Sequence, residues 1–306
     1  MNKQWKSHFS KAIIVFSFSS IMPAIILAQD TGGWVIEAPA SSVQLTSVGQ
    51  GMTADLVKFT FTNISGKTII EFRVDTGHGN MTGLDAFTDG QGAVAPGATT
   101  SVVFDTRALS FADTGAKKLY VVAIVYSDGS RAGSAQVVAL VENEMLGAAL
   151  ETKRISDLLL TNPDPSIAGF DNVQPRIGSK SPQADNDAAA SLKGIALPGV
   201  SQTYIDEHLA NPSPGLMGGL RRARFAISTE INNVKTADAR EMVGTKKEQL
   251  HALQNRPHAL SDLAQQYSSL SDWQARCIKA LDTNSRDNYV NFNFGRFPQQ
   301  PGAINR

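Results

Sequence analysis

Residues 56–74, which read LVKFTFTNISGKTIIEFRV, contain the clearest strand pattern of the chain. Large apolar residues alternate with polar ones on both sides of a central segment, at Val57, Phe59 and Phe61 and again at Ile70, Phe72 and Val74. A repeat of two points alternate side chains to opposite faces of a β-strand. The segment between the two runs, residues 63–67, is rich in turn formers. The stretch therefore predicts two strands that are joined in a hairpin.

The same pattern extends outward over the first half of the chain. We predict strands at Val43–Val48, Leu56–Thr62, Thr68–Val74, Thr100–Phe104, Leu119–Tyr126 and Ala135–Val141, with Trp34–Ile36 as a candidate opening strand. A second hairpin turn is predicted at residues 127–130, because the pair Asp128-Gly129 tolerates positive φ. About seven short strands in roughly 110 residues, with a turn about every ten residues, are typical of a β-sandwich.

The segment FTFTNISGKTI, from Phe59 to Ile69, resembles the strand-turn-strand of immunoglobulin-like and fibronectin-type domains in exported bacterial proteins. The resemblance covers only the first half of the chain and concerns the fold alone. The bridged cysteine pair of antibody domains is absent, because Cys277 is the only cysteine. The resemblance implies an immunoglobulin-like antiparallel β-sandwich and brings no ligand with it.

Residues 1–28 have the pattern of a signal peptide. Three lysines lie within the first eleven residues, and the apolar run over residues 12–27 ends at the small residue Ala28, before a polar stretch that starts at Gln29. A charged region, an apolar region and a small residue at the cleavage site mark a secretory signal. The apolar run is shorter than the ~20 residues of a spanning helix, which favours cleavage over an uncleaved anchor. The sequence predicts an exported protein, periplasmic or extracellular, that begins near Gln29.

Charge and hydropathy narrow the range of partners. The chain has 28 basic and 28 acidic residues, and removal of three lysines with residues 1–28 leaves 25 against 28, a net charge of −3. This charge is too small to attract nucleic acid or an anionic membrane. No later apolar stretch has the length of a spanning helix. We expect no nucleic-acid partner and no stable membrane span after signal cleavage.

The second half of the chain changes to helical spacing. Residues 163–200 are rich in Pro, Gly, Ser, Asp and Asn, which predicts a linker or a long loop. In the tail, apolar Val290, Phe292 and Phe294 alternate with asparagines and predict a strand that docks on the sandwich or on a partner. The predicted α+β organisation is a signal peptide (1–28), a sandwich (29–141), a helix (142–162), a linker (163–200), a helical region (201–283) and a tail (284–306). We expect the strand half to fold without the helical half.

The triplet Asp-Thr-Gly occurs twice, beginning at Asp75 and at Asp113. Aspartic proteases carry such a triplet on each of two lobes, where paired carboxyl groups activate water. The two triplets here are 38 residues apart, too close for one on each lobe. Asp and Gly also end strands because they form turns, and this turn role is favoured. Asp75 and Asp113 are the two catalytic candidates.

The remaining motifs predict neither a metal nor a cofactor. The histidines lack the spacing of a zinc site. Cys277 lies on an apolar helical stripe, which indicates a buried, inert thiol. Arg221, Arg222 and Arg224 are followed by acidic residues on the same helical segment, which predicts a solvated face.

Two classes of function fit these features. The first is a binding or assembly module that recognises a protein or polysaccharide partner through sandwich edges and loops. The alternative is an aspartic-type hydrolase that acts on envelope or extracellular polymer, with Asp75 as the residue to test. The binding role is favoured over an enzyme because no catalytic set of residues is complete in the sequence.

Overall fold

A computed structural model describes residues 33–38, 42–76, 81–89, 92–105, 109, 117–177, 190–236, 256–283 and 289–291. The fold is α+β and contains two sheets and a set of helices. The strands are β1 (Trp34–Glu37), β2 (Val43–Gln50), β3 (Leu56–Asn63), β4 (Ile69–Asp75), β5 (Met81–Asp85), β6 (Thr99–Asp105), β7 (Lys117–Tyr126), β8 (Arg131–Gly133) and β9 (Tyr289–Asn291). The helices are α1 (Ala86–Asp89), α2 (Ala135–Leu160), α3 (Phe170–Ile177), α4 (Gln202–Ala210), α5 (Pro214–Thr236) and α6 (Ala259–Thr283), with a 3-10 turn at Ile167–Gly169.

The larger sheet has six strands in the order β5-β4-β7-β8-β9, and β1 also pairs with β7. β1 runs parallel to the first part of β7, whereas β4 and β8 run antiparallel to β7. The smaller sheet has three antiparallel strands in the order β2-β3-β6. Six of the predicted strands are confirmed, with ends within two residues of the predicted ones.

The first predicted hairpin is wrong. β3 pairs with β2 and β6, whereas β4 pairs with β5 and β7, so the turn at residues 64–68 connects the two sheets. The Phe61 and Phe72 rings meet edge to face across the interior, with centroids 5.1 Å apart. The side-chain amide of Asn63 donates to the carbonyls of Lys67 (2.8 Å) and Val94 (2.7 Å). The two apolar rows cover each other in this arrangement, whereas a hairpin would place them side by side on one face.

The second predicted hairpin is confirmed at its turn, but its second strand is not the predicted one. Gly129 has a φ of 81°, as a turn of this kind requires. The strand that follows is β8, and the predicted strand Ala135–Val141 is the first part of helix α2. The buried residues there, Val138, Val141 and Met145, are three and four residues apart, which is helical spacing. The predicted boundary at residues 141 and 142 therefore lies inside a helix.

The predicted linker at residues 163–200 also contributes to the core. Helix α3 lies within it and buries Phe170, Val173 and Ile177. Leu192 and Leu197 are buried as well. Residues 178–189 of the predicted linker lie outside the described residues. The composition of this segment is that of a loop, but its few apolar residues are buried and fix it to the core.

The larger sheet is the central sheet of the fold and is buried on both faces. Toward the smaller sheet it contributes a core that includes Phe72, Val74, Leu119 and Val121, packed with Phe59 and Phe61. Its other face contributes Ile70, Ala123 and Val125 to a core formed with helices α2, α4, α5 and α6. The expectation that the strand half folds alone disagrees with this layering, because a fragment without the helices would expose one apolar face of the central sheet.

Three apolar residues of the predicted strands do not lie in the core between the two sheets. Ile70 and Val125 face the helices rather than the smaller sheet, and Val103 is 41% exposed. In the tail, β9 pairs in parallel with β8, with Val290 opposite Ala132, which confirms a docked strand for three residues. Phe292 and Phe294 lie outside the described residues. Among the described helices, none combines the length and the apolar character needed to cross a bilayer.

Candidate functional site at the sheet–helix junction

Helices α2 and α5 approach each other closely where glycines remove side chains from the contact. A Cβ atom added to Gly219 would lie 1.8 Å from the backbone oxygen of Glu144, and one added to Gly147 would lie 2.0 Å from that of Leu216. Only glycine fits at such a separation. The close approach brings polar side chains of the two helices together above the edge of the central sheet.

The junction cluster comprises five charged residues, namely Glu71 and Arg73 of β4, Asp85 of β5, Glu144 of α2 and Arg222 of α5. Oε2 of Glu144 pairs with both arginines. It lies 3.0 Å from Nη2 of Arg73 and 2.7 Å from Nη2 of Arg222. Nε of Arg222 lies 3.4 Å from Oδ2 of Asp85. Nη2 of Arg73 also lies 3.3 Å from Oε2 of Glu71, without the alignment of a hydrogen bond. These ion pairs tie the β4–β5 edge to both helices.

The carboxyl groups of Glu71 and Asp85 form a hydrogen-bonded pair across the β4–β5 ladder, in which the two residues are direct partners. Burial, reinforced by the charge of Asp85, raises the pKa of Glu71 well above its ordinary value. Burial alone would raise the pKa of Asp85 too, but hydrogen bonds from Glu71 and Thr88 and the charge of Arg222 lower it. The directions of the two shifts favour the proton on Glu71 and the negative charge on Asp85.

Asp85 also begins helix α1. Its two oxygens accept from the backbone N–H (3.0 Å) and the hydroxyl (2.9 Å) of Thr88. Access to the cluster differs between its members, because the side chain of Glu71 is 3% exposed and that of Arg222 is 39% exposed. The cluster opens to solvent beside Asp85 and Arg222, and Glu71 forms its floor.

This arrangement can hold or transfer a proton. A protonated and an ionised carboxyl group side by side are the elements of general acid–base chemistry. The three carboxyl groups, when ionised, exceed the two guanidinium groups by one charge, and a proton on Glu71 would remove the excess. Among the described residues, no group of three or more His, Cys, Asp or Glu could hold a metal ion.

A second buried group of charges, the interhelical cluster, comprises Glu151 and Arg154 of α2 and Arg224 of α5. The carboxylate of Glu151 accepts two hydrogen bonds from Arg154 (2.8 and 2.7 Å) and one from Nε of Arg224 (2.7 Å). Arg154 also donates to the carbonyls of Arg176 (2.9 Å) and Ile177 (3.0 Å) at the end of α3. A cation at the carbonyl end of a helix stabilises that end. This cluster is structural.

Of the two predicted catalytic candidates, the structure describes only Asp75. Asp75 is the last residue of β4 and is 6% exposed, opposite Tyr120 on β7 and Met81 on β5. Asp113 lies outside the described residues. The hydroxyl of Thr76, next to Asp75, is buried without a hydrogen-bond partner among the described residues. This position at the end of a strand agrees with the role of Asp75 as a turn residue.

The other predicted residues divide in the same way. Cys277 is buried, and burial raises the pKa of its thiol to about 11, as expected of an unreactive cysteine. The predicted solvated face at Arg221, Arg222 and Arg224 is wrong for Arg224, whereas the side chain of Arg222 is 39% exposed. Arg222 belongs to the junction cluster and Arg224, 7% exposed, to the interhelical cluster.

Sequence reasoning missed Glu71, Asp85 and Glu144. Glu71 and Arg73 occupy the polar positions of the β4 alternation, which indicates a solvated face when a sheet has one free side. Here that face is covered by helices. β5 was not predicted because MTGLD at residues 81–85 is short and contains glycine. We compared the chain with protein-family models, curated proteins and solved structures, and none of them matched it.

Proposed function

We propose that this chain is an exported binding or assembly module of the periplasm or extracellular space, whose immunoglobulin-like sandwich takes up an extended segment of a partner protein. Residues 1–28 carry the secretory pattern on which the proposed location depends. A polysaccharide is the second partner class that fits a mature chain of small net charge.

The observation that carries this proposal is the open edge at β5. Within the described residues, β5 pairs with β4 and with no other strand. It contains no Lys, Arg or Pro, the residues that usually protect a sheet edge, and its first residue, Met81, is 45% exposed. Unpaired backbone groups on such an edge accept an extended peptide as an added strand, which is a common mode of recognition.

A crosslinking experiment with a matched control tests the binding role. A photoreactive residue is placed at position 81 on the edge, or at Met52, which is 98% exposed in the turn before β3. In envelope and culture-medium fractions of the source cell, the probe at 81 should crosslink one partner protein that the probe at 52 does not. Equal crosslinking at both positions would contradict recognition by this edge.

N-terminal sequencing of exported protein should give Gln29 as the first residue.

The alternative function, a hydrolase of envelope or extracellular polymer, gains one observation from the structure. Glu71 and Asp85 form a carboxyl pair with opposite shifts in pKa, a pattern that acid–base enzymes share. Assays of the wild-type protein on peptidoglycan, polysaccharide and protein substrates test it. Activity that is lost in both Glu71→Gln and Asp85→Asn would replace the binding proposal with this one. Activity lost only in Asp75→Asn would instead identify the Asp-Thr-Gly triplet as the catalytic site.

A further inference from the structure

The junction cluster joins two layers of the fold with one more acidic than basic group. Glu71 lies on its floor beside Arg73 on its own strand, Asp85 on β5 and Arg222 on α5, and both arginines pair with Glu144 on α2. On β7 its direct partner is the uncharged Val125. One oxygen of Glu71 is buried without a hydrogen-bond partner among the described residues. An ionised Glu71 would therefore carry a buried charge that its neighbours do not fully balance.

We propose that the paired carboxyl groups of Glu71 and Asp85 form a proton-binding site that locks the β4–β5 edge onto helices α2 and α5. With one proton in the pair, the five side chains have no net charge and both arginines bridge the layers. When the proton leaves, Glu71 and Asp85 repel each other and the hydrogen bond between them is lost. The β5 strand and helix α1, which Asp85 begins, are the elements that this step loosens. The lock does not depend on the binding role proposed above.

The direction of the pH effect follows from the shifts. Because burial raises the pKa of Glu71 above its ordinary 4.5, its contribution to stability is fully present below that value and is lost as pH rises through the folded pKa. The pKa of Asp85 is shifted the other way, so its contribution is present above its ordinary 3.8 and is lost as pH falls through the folded pKa. The lock is tightest in mildly acidic solution and weakens toward alkaline pH.

Urea unfolding of the full chain tests the lock at about pH 5 and about pH 8, where a carboxyl group with a raised pKa changes its charge. We expect the urea midpoint of the wild-type protein to be lower at the higher pH than at the lower one. This decrease should be at least halved in Glu71→Gln, because the side chain of the variant stays neutral. The control is Glu151→Gln in the interhelical cluster, which should lower the midpoint at both pH values and leave the difference between them unchanged. An equal pH dependence in the wild-type protein and Glu71→Gln would overturn the proposal.

A second measurement on the wild-type protein covers the case in which a variant does not fold. Carbon NMR of the side-chain carboxyl groups should show Glu71 titrating well above the range of the exposed glutamates. Amide hydrogen exchange in β5 and α1 should accelerate over the same pH range, relative to β3 as an internal reference. A Glu71 carboxyl group that titrates near 4.5 would exclude the proton site.

Discussion

The junction cluster and the interhelical cluster are built on the same two helices, but their excess charges have opposite signs. Glu144 and Glu151 are seven residues apart on α2 and therefore lie on one face of it, and each accepts hydrogen bonds or ion pairs from two arginines. In the interhelical cluster the single excess charge is positive and is shared with two backbone carbonyls of α3. In the junction cluster the single excess charge is negative and is removed by a proton.

The difference between the two clusters indicates which buried charges are candidates for function. Glu151 is fully buried, and the hydrogen bonds from Arg154 and Arg224 satisfy both of its oxygens. The junction cluster contains a carboxyl oxygen that has no hydrogen-bond partner among the described residues, a pair of neighbouring carboxyl groups and an arginine that reaches solvent. A balanced and fully bonded group changes only if the protein unfolds. A group that depends on one proton can change while the protein stays folded.

The largest effect that we expect comes from removing the acid of the interhelical cluster. Glu151→Ala leaves the guanidinium groups of Arg154 and Arg224 buried without a counter-charge, which should cost about 3–5 kcal/mol of unfolding free energy. Urea denaturation monitored by circular dichroism measures it. Glu144→Ala is the matched change in the other cluster and should cost less, because Arg222 keeps Asp85 as a charged partner and its side chain is 39% exposed to water. A larger loss in Glu144→Ala would contradict the comparison.

The next effect concerns the contact that holds both clusters in place. Gly219→Ala would place a methyl group against the Glu144 backbone and should cost about 2–3 kcal/mol, since neither helix can move without disturbing the other. Its neighbour Gly218 is the control, because the nearest atom to an added Cβ there is a carboxylate oxygen at 3.8 Å. Gly218→Ala should raise stability by about 0.5–1 kcal/mol through helix propensity. Similar losses in both variants would show that the helices do not meet as described.

Much of the fold could be predicted from local patterns, and the site could not. The alternation around Phe59 and Phe72 predicts strands because burial on one face leaves a period of two. The same alternation does not determine which strands pair with each other. The segment between β3 and β4 therefore resembles a hairpin turn in sequence, although it connects the two sheets. Val138 and Val141 fit a strand or a helix equally well in so short a run. Here only the continuation to Met145 and beyond decides for the helix.

The junction cluster depends on contacts between distant parts of the chain. Glu71 and Glu144 are 73 residues apart, and the helix that covers Glu71 cannot be read from the strand that carries it. The polar positions of β4 have the same spacing whether water or a helix lies above them. The acidic residues that follow Arg222 and Arg224 in sequence predict a solvated face for both arginines. Their actual partners, Glu144 and Glu151, come from another helix.

The smallest effect separates burial from distance as the origin of these energies. Lys153 and Asp157 lie on α2 beside the interhelical cluster, with Nζ 2.5 Å from Oδ1, a shorter separation than the 2.7 Å between Arg154 and Glu151. Their side chains are 27% and 45% exposed, so water screens the attraction and replaces it when it is lost. Lys153→Met keeps most of the side-chain stem and should change the unfolding free energy by less than about 0.5 kcal/mol. The same urea titrations measure it beside Glu151→Ala. A loss in Lys153→Met comparable to that in Glu151→Ala would mean that separation between charges, rather than removal from water, governs the stability of this helix pair.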